Sequence, residues 1–344
     1  MAGAEGPGEA ASGFSDLSDS ELLQLEEPEP EPGGGGSPRT ARDPDPDPAP
    51  APLRVTELAA QSWCELQAAL GRRRPVPPAP GRAALLRAGT HLHLARELEV
   101  HDIVDVPTSS REDAWAVRVL NLLTMIPVLQ AGDCVRELPV FGLIEGVFLT
   151  GVIDELCYNI KGELELNELK TRSRPVMPSE AQRRRDHFQV CLYKYIFDAM
   201  VQGCLKPDIF TSHVSLSPEQ LLGSEVKQHA QKAGFTVSTF GDLLELLCLN
   251  LTFSDIPHID CLKINYNHQE SNILLGTDIV LYEEKKVREK AQYYLAYWKG
   301  QREAQGVDIE EAWKCQFCDY SEICDWRRTR AEMPLQRSGP KKTK

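Results

Sequence analysis

A single α/β domain built on a mixed β-sheet is the fold that the sequence predicts for residues 53–330. Three observations support this fold: segments with helical periodicity come first, a group of strand-like segments follows, and further helices and strands complete the domain. The 344-residue chain is long enough for one large domain or two small ones. Its sequence shows no internal repeat, which argues against a repeat architecture.

Three helices are predicted before the central strands. Val55, Leu58 and Leu66 lie at helical spacing and form an apolar stripe. A run of arginines and prolines ends this first helix, because proline cannot continue a helix. The third helix begins at Ser110, where a serine followed three residues later by an acid resembles a capping box. The three helices cover 54–70, 82–101 and 110–125.

Three strands are predicted next. The stretch from Gly146 to Tyr158 is rich in Val, Ile, Leu and Phe, which favour strands. A turn signal at 159–162 separates this stretch from an alternating one that runs from Glu163 to Lys170. Such a succession is typical of a β-hairpin. The three strands cover 134–142, 145–158 and 163–171.

Helices and strands are both predicted in the second half. Pro175 and Pro178 lead into a long helix, because proline is tolerated just before a helix but not inside it. After it, short apolar runs predict strands and apolar residues at helical spacing predict helices. The helices cover 179–202, 224–233, 239–250 and 284–302, and the strands cover 209–216, 260–268 and 273–282.

The first 52 residues differ in composition from the rest. They hold ten of the 24 prolines and eight of the 24 glycines, and they cannot bury enough apolar surface to offset the entropy of ordering. We therefore predict a disordered acidic tail over 1–52. It carries 12 acids and 2 bases, a net charge of −10, which leaves −3 of the total −13 for the remainder. A nucleic-acid site would then be a local basic groove.

Composition also predicts the compartment. The chain contains no stretch of 18 uninterrupted apolar residues and no signal peptide, so we expect no membrane span and an intracellular location. The ten cysteines should then be reduced or metal-bound. Residues 331–344 form a basic tail, and its end, Pro340 to Lys344, is a candidate nuclear-import signal.

Two acids and a lysine lie in the predicted hairpin. Asp154 ends the apolar run that begins at Gly151, and Glu168 and Lys170 follow on the next strand. Residues two apart in a strand share a face, so Glu168 and Lys170 point the same way. Carboxylates suit Mg²⁺, and a lysine can hold the attacking water or stabilise the charge that builds on phosphorus. The sequence therefore predicts a metal-dependent nuclease site.

Two helices offer further residues to this site. On the second helix, His93 can supply a third metal ligand, while His91 points to another face; a histidine on a helix is nevertheless more often structural. On the long helix, Gln189 and Tyr193 lie four apart on one face. They can contact the nucleic acid or position the active-site lysine. Candidate phosphate contacts are Arg172, Arg174, Arg183, Arg184 and Arg185.

Three cysteines near the C-terminus, Cys315, Cys318 and Cys324, have the compact spacing C-x2-C-x5-C. In an intracellular protein such a trio predicts a metal site. The fourth ligand that a tetrahedral site needs is assigned to Cys64, because its aromatic and acidic neighbours distinguish it from the cysteines that lie in apolar runs. Zinc and an iron–sulfur cluster both accept four thiolates. One distant cysteine joined to a trio favours the cluster, since structural zinc usually uses two close pairs.

Together these motifs resemble the RecB-type branch of the PD-(D/E)XK nuclease superfamily that carries an iron–sulfur cluster, and within it the eukaryotic exonuclease V family. The resemblance covers roughly residues 53–330 and also a phrase in the tail, from Gly13 to Glu21. Ile153 stands where the superfamily has a proline before the aspartate. The resemblance rests on several short motifs and on their order along the chain. These motifs are Gly89 to His93, Gly151 to Asp154, Glu168 to Lys170, Gln189 to Tyr193, and one upstream and three downstream cysteines.

The resemblance implies a restriction-endonuclease-like core whose N- and C-terminal parts are joined by a [4Fe–4S] cluster. It also implies Mg²⁺, with Mn²⁺ as a substitute. The implied cluster ligands are Cys64, Cys315, Cys318 and Cys324. The implied metal ligands are His93, Asp154 and Glu168, and the implied catalytic residues are Asp154, Glu168, Lys170, Gln189 and Tyr193.

The activity implied by the resemblance is that of an exonuclease specific for single-stranded DNA, which enters at a free 5′ end and releases short oligonucleotides. The implied setting is nuclear DNA repair, including that of interstrand crosslinks, with the single-strand-binding protein RPA as a partner. We expect a monomer, located in the nucleus and also in the cytosol.

Two other functions stay open on the residues alone. One is a non-catalytic nucleic-acid-binding module whose cysteines hold zinc; Mg²⁺-dependent digestion that vanishes in Asp154→Ala protein would exclude it. The other is an interaction scaffold that acts through the acidic tail. That role would be excluded if the chain without residues 1–52 still digested DNA.

Overall fold

The computed structural model of the chain describes residues 52–78, 80–100 and 104–332. Within these ranges a mixed sheet is flanked by helices, which confirms the predicted α/β class. The strands are β1 Leu53–Arg54, β2 Val135–Ile144, β3 Val147–Tyr158, β4 Leu164–Arg172, β5 Cys261–His268 and β6 Leu274–Ile279. The helices are α1 Val55–Ala60, α2 Glu65–Arg73, α3 Pro80–Glu97, α4 Arg111–Gln130, α5 Glu180–Val201, α6 Pro207–Val214, α7 Ser224–Lys232, α8 Phe240–Thr252, α9 Glu284–Trp298, a 3-10 helix Ile309–Phe317, and α10 Asp325–Glu332.

Strand β3 organises the sheet. One edge of β3 pairs antiparallel with β2 along nearly its whole length. The other edge is shared, because β1 pairs in parallel with the beginning of β3 and β4 pairs antiparallel with its end. Strand β5 lies parallel to β4, and β6 lies antiparallel to β5. Strands β3 and β4 therefore pair as a hairpin next to the turn and separate further away from it.

An aromatic cluster fixes the helices that pack on one face of the sheet. Phe210 on α6 is fully buried and lies between α4, α8 and the sheet. Its ring centroid is 5.2 to 6.1 Å from four other aromatic rings, mostly edge to face. Those four rings belong to Trp115, Phe141, Phe148 and Phe240.

One predicted strand is wrong. Residues 209–216 lie mostly in helix α6, which begins at Pro207. Proline is favoured at the first helical position, where its missing N–H is not needed. Phe210 and Val214, four residues apart, both face the core. A short apolar run buried on a helix cannot be told from a strand by its periodicity alone.

The predicted helix over 54–70 is two helices. Cys64 is the N-cap of α2 in extended backbone, with φ −165° and ψ 118°, and the turn before it separates α2 from α1. The helix predicted over 110–125 runs on to Gln130, although Pro127 lies inside it. The other predicted elements are confirmed, with ends that differ by a few residues.

Both predicted tails fall largely outside the described residues. This holds for the acidic tail over 1–52, apart from its last residue, and for nearly all of the basic tail over 331–344. Among the described helices, none is both long enough and apolar enough to cross a membrane.

Candidate active site

Strands β3 and β4 separate at the predicted catalytic aspartate. Their antiparallel pairing ends at Glu155 and Asn167. One residue further, Asp154 Oδ2 accepts a 2.7 Å hydrogen bond from the backbone N–H of Leu169. The carboxylate thus accepts a hydrogen bond from a backbone N–H of β4 at the point where β4 no longer pairs with β3. Asp154 is only 6% exposed, so its position is set by the two strands.

Glu168 and Lys170 stand on either side of Leu169 on β4. The Lys170 ammonium donates to Glu168 Oε1 at 2.8 Å, and the Gln189 side-chain amide donates to the same oxygen at 2.6 Å. The amide of Gln189 also lies 3.2 Å from the hydroxyl of Tyr193. All four polar side chains are buried. The structure therefore brings them together, with Gln189 and Tyr193 orienting Glu168.

His93 on α3 lies beside Asp154. Its Nδ1 is 3.8 Å from Asp154 Oδ1 and 3.6 Å from Glu137 Oε1. The three side chains offer ligand atoms that all lie within 4.8 Å of one another. His91 is exposed, and of the two histidines it is His93 that lies in this group. In the described part of the chain, this group of three does not include Glu168.

Glu137 is the site residue that the sequence does not reveal. It lies within β2 but has a φ of 52°, in the left-handed region that non-glycine residues rarely adopt. Such a conformation costs about 1–3 kcal/mol and is concentrated at functional sites. An isolated glutamate in an apolar strand gives no signal of its own, because the unusual backbone and the approach of α3 exist only in the folded chain.

Helix α3 passes over this part of the sheet. Near its beginning, the carbonyl oxygen of Leu85 accepts a 2.9 Å hydrogen bond from the Gln269 amide, which also bonds the Thr171 hydroxyl at 3.1 Å. Near its end, the Arg96 guanidinium bonds Glu155 at 3.1 Å. Thr171 follows Lys170, and Glu155 follows Asp154. Helix α3 is therefore anchored on both sides of the candidate site.

The arginine run on α5 binds carboxylates of the protein itself. Arg183 makes two 2.6 Å hydrogen bonds to Asp278. The remaining two pairs are Arg184 with Glu311 at 2.5 Å and Arg185 with Asp186 at 2.9 Å. The sequence suggested these arginines as phosphate contacts; instead, Arg183 and Arg184 hold α5 against β6 and the C-terminal segment, and Arg185 pairs within α5. Arg172 is buried, and Arg174 is exposed just beyond β4.

Gly151 allows α5 to pack closely on β3. A Cβ atom at this position would lie 2.5 Å from Tyr193 Cε1 and 3.1 Å from Val55 Cγ2. Both distances are shorter than ordinary carbon contacts, and the Tyr193 ring is held within the core. The glycine that precedes Asp154 by three residues is therefore a packing requirement of the site.

We expect Gly151→Ala to lower the free energy of unfolding by about 1–3 kcal/mol, because the added methyl overpacks the contact with Tyr193. Gly81→Ala is the matched control, since a Cβ there meets nothing within 4 Å and alanine favours the helix by about 0.5–1 kcal/mol. Urea unfolding followed by circular dichroism measures both changes. Equal midpoints for Gly151→Ala and the unaltered protein would contradict the packing role.

The four predicted cysteine ligands line one cavity between α2 and the C-terminal segment. Cys64 caps α2, Cys315 and Cys318 lie at the end of the 3-10 helix, and Cys324 directly precedes α10. The structure thus brings together residues that are about 250 positions apart in the chain. Most of the remaining lining is apolar or aromatic, including Leu66, Leu70, Val307, Tyr320 and Trp326, and two basic residues, Lys314 and Arg327, also line the cavity.

Both neighbours of Cys64 bind the C-terminal segment. Glu65 Oε2 accepts a 2.6 Å hydrogen bond from the Arg302 guanidinium. The carbonyl oxygen of Trp63 accepts a 3.1 Å hydrogen bond from the buried Lys314 ammonium. The approach of Cys64 to the trio is therefore supported by contacts on each side of it.

Burial raises the pKa of three thiols in this cavity, those of Cys64, Cys315 and Cys318. Burial raises the pKa of Cys64 to about 11, and the charges of the three other thiols add to that increase. Burial also raises the pKa of Cys315 and Cys318. Metal binding requires thiolates, so a cationic centre must compensate their charge here. Four thiols around one largely apolar cavity fit such a centre.

Comparison with known proteins places these features in a family. A family model described as Exonuclease V, a 5′ deoxyribonuclease, matches residues 47–167 and 224–327. The matched ranges contain Asp154 and the four cavity cysteines, and Glu168 to Tyr193 lie between them. Exonuclease V of zebrafish (Danio rerio) is 48% identical over 279 residues, which is 81% of this chain and 71% of the zebrafish protein.

Two further similarities are more distant. The uncharacterized protein ORF95 of Ostreid herpesvirus 1 (isolate France) is 22% identical over 222 residues, covering 59% of this chain and 68% of the viral protein. The crystal structure of SSO0001 aligns with 90% of this chain and 94% of its own at 12% identity and a TM-score of 0.39.

Proposed function

Since this chain belongs to the exonuclease V family of nucleases, we propose that it is a metal-dependent exonuclease that digests single-stranded DNA from a free 5′ end. The observation that supports single-stranded DNA as the substrate is the burial of the proposed catalytic groups. Asp154, Glu168 and Lys170 are 6%, 1% and 4% exposed, beside a helix that is anchored across the site. A single strand is narrower and more flexible than a duplex, which favours it for reaching buried groups. A free end passes most easily beneath an anchored helix.

The residues present fit a divalent metal ion. Two carboxylates and an imidazole converge at Asp154, Glu137 and His93, and a mainly oxygen donor set suits Mg²⁺, with Mn²⁺ as a substitute. Glu168, predicted as a further ligand, stands next to the Leu169 N–H that Asp154 binds. When bound, the ion would polarise the scissile phosphate and generate hydroxide near neutral pH.

The protein's own side chains have separate roles in this proposal. Lys170 holds a positive charge 2.8 Å from Glu168 Oε1, where it can stabilise the charge that builds on the phosphate oxygens. Gln189 donates to that same oxygen and so keeps the carboxylate in one orientation. Tyr193, in contact with the Gln189 amide, positions that amide and does not itself need to touch the DNA.

We also propose that Cys64, Cys315, Cys318 and Cys324 hold a [4Fe–4S] cluster. One zinc ion with Zn–S bonds of about 2.3 Å would draw tetrahedral sulfur atoms to within about 3.8 Å of one another. Among the described residues, the groups of three or more ligand atoms within 4.8 Å do not include these cysteines. Wider spacing suits a cluster, whose irons bind the thiolates separately.

The cluster would join the two ends of the proposed domain over 53–330 and support the active site. Arg82, at the beginning of α3, forms an ion pair with Asp319, which directly follows Cys318. The helix that supplies His93 is thereby tied to the cysteine segment. A restriction-endonuclease-like core is proposed on the grounds that Asp154 and the Glu168–Lys170 pair lie on adjacent strands of a mixed sheet.

The proposal extends to the biological setting. An enzyme that needs single strands with free ends suits nuclear DNA repair, including that of interstrand crosslinks, where RPA coats such strands. We propose RPA as a partner, a monomeric enzyme, and a nuclear location with a further cytosolic pool.

The test is digestion of labelled oligonucleotides in Mg²⁺, with either the 5′ or the 3′ end blocked and with a duplex of the same sequence. We expect digestion of single strands that have a free 5′ end, and none of the duplex. Lys170→Ala should abolish it. Lys263→Ala is the matched control, because its lysine also pairs with a glutamate, Glu165, at 2.6 Å in the same sheet. Binding without cleavage would favour the non-catalytic module, and cleavage from free 3′ ends would overturn the polarity.

We expect Glu137→Gln to raise the Mg²⁺ concentration needed for half-maximal activity by roughly 10–100-fold, because it removes one charge from the group around His93. Titration of activity with Mg²⁺ measures this shift. Glu145→Gln is the control, since Glu145 has a similar φ of 51° but pairs with Arg288 at 3.1 Å. An unchanged Mg²⁺ requirement in Glu137→Gln would remove this residue from the metal site.

A further inference from the structure

We propose that Cys134 and Cys157 form a reversible disulfide, and that this pair is an oxidative modification site for hydroperoxides. Neither residue belongs to the four-cysteine cavity or to the group around Asp154. The two thiols and the Glu155 carboxylate offer ligand atoms that lie within 4.8 Å of one another. This is a second convergence of reactive side chains, separate from the site that performs the nuclease reaction.

The strand register sets the geometry of the pair. Val135 on β2 is opposite Leu156 on β3, so Cys134 lies opposite Cys157 one step beyond. Residues directly opposite in an antiparallel pair have Cα atoms about 4.5–5.5 Å apart. That spacing lies within the range of about 4.4–6.8 Å that a disulfide spans. The two sulfur atoms also lie within 4.8 Å of each other, a separation that side-chain rotation can close.

The surrounding charges favour a dithiol over a metal site. Glu155 Oε2 is bonded by Arg136 at 2.8 Å and by Arg96 at 3.1 Å. Two guanidinium groups are thus bound to Glu155, the carboxylate of this group of three side chains, and their positive charges oppose the entry of a cation. They favour instead a thiolate, which is the nucleophilic form of cysteine.

The two thiols differ in a way that assigns their roles. The hydrogen bond from Cys157 lowers the pKa of the Cys134 thiol against the opposing effects of burial and of the Glu155 charge, and the charges of Arg136 and Arg96 act in the same direction as the hydrogen bond. The same hydrogen bond, together with burial, raises the pKa of Cys157. Both thiols are partly exposed, so a small oxidant can reach the pair, and the lowered pKa of Cys134 assigns it the first reaction. Cys134 therefore reacts first, and Cys157 resolves the product.

The chemistry balances in two steps. The Cys134 thiolate attacks the peroxide O–O bond and takes one oxygen to become a sulfenic acid, while hydroxide or alkoxide leaves with the electron pair. The Cys157 thiol then attacks the sulfenic sulfur, its proton passes to the departing oxygen, and water leaves as the S–S bond forms. The peroxide is reduced and the two thiols are oxidised. A thiol reductant breaks this S–S bond again by thiol–disulfide exchange.

The test treats the full-length, cluster-loaded protein with substoichiometric hydrogen peroxide, alkylates the remaining thiols and maps the peptides by mass spectrometry. We expect a cross-linked pair of peptides containing Cys134 and Cys157, which dithiothreitol separates. Oxidation of Cys134 should be about tenfold faster than that of exposed Cys204, because reactivity follows thiolate character. In Cys157→Ser protein, dimedone should trap the Cys134 sulfenic acid.

Two results would overturn the proposal. One is that Cys134 and Cys157 are still alkylated as free thiols at a peroxide dose that has oxidised Cys204. The other is that Cys157→Ser protein, shown to be folded by circular dichroism, gives no dimedone adduct at Cys134. Cys204→Ser is the matched variant, in which the Cys134–Cys157 cross-link should form as in the unaltered protein.

Discussion

Asp154→Asn protein is expected to lose at least about 1,000-fold of the nuclease activity and to keep its fold. The substitution keeps the size of the side chain, and an amide oxygen can still accept the hydrogen bond from the Leu169 N–H. It removes the negative charge that the proposed metal site requires. Loss of a metal ion removes several kcal/mol of transition-state stabilisation, and each ~1.4 kcal/mol is tenfold in rate. Single-turnover digestion of a labelled single strand measures the effect.

Asp260→Asn is the control for this experiment. Asp260 Oδ2 accepts a 3.0 Å hydrogen bond from the backbone N–H of Leu164, at the opposite end of β4. Both aspartates thus bond the same strand, but only Asp154 belongs to the group with His93 and Glu137. Asp260→Asn should digest DNA at nearly the normal rate. Full activity in Asp154→Asn would place the chemistry elsewhere in the molecule.

Cys318→Ser protein should be purified without visible colour or bound iron, and it should unfold at a temperature lower by about 10 °C or more. Loss of the cluster removes a ligand that binds only the folded chain, and this linkage is worth several kcal/mol. For a domain of this size, each kcal/mol shifts the unfolding temperature by about 2–4 °C.

Visible absorbance, iron and zinc analysis, and calorimetry of the same preparations test this expectation. Cys204→Ser is the control, because Cys204 is exposed and lies outside the cavity. It should keep both the colour and the unfolding temperature. A colourless unaltered protein that holds one zinc ion per chain would contradict the cluster. An unchanged unfolding temperature in Cys318→Ser would show that contacts such as Glu65 with Arg302 hold the ends together without it.

The limits of sequence-based prediction are visible in particular residues. The hairpin around 159–162 and the capped start of α4 at Ser110 follow from local spacing, so both were predictable. The helix at residues 209–216 was not predictable, because a short buried helix and a short buried strand show the same apolar run in the sequence. The arginines of α5 were expected at phosphates, yet Arg183 binds Asp278, a residue 95 positions away that no local pattern identifies.

The amino-acid sequence by itself determined the strand pair that presents Asp154 and Glu168, the side chains that can bind metal, and the cysteine trio, because these follow from periodicity and spacing over a few residues. The tertiary structure alone decided that Glu137 joins His93 and Asp154, and it brings Cys64, which the sequence assigned to the trio, into the same cavity. These depend on a strained backbone angle at Glu137 and on contacts between distant segments. Such contacts are set by the packing of the whole domain, and not by any one segment of it.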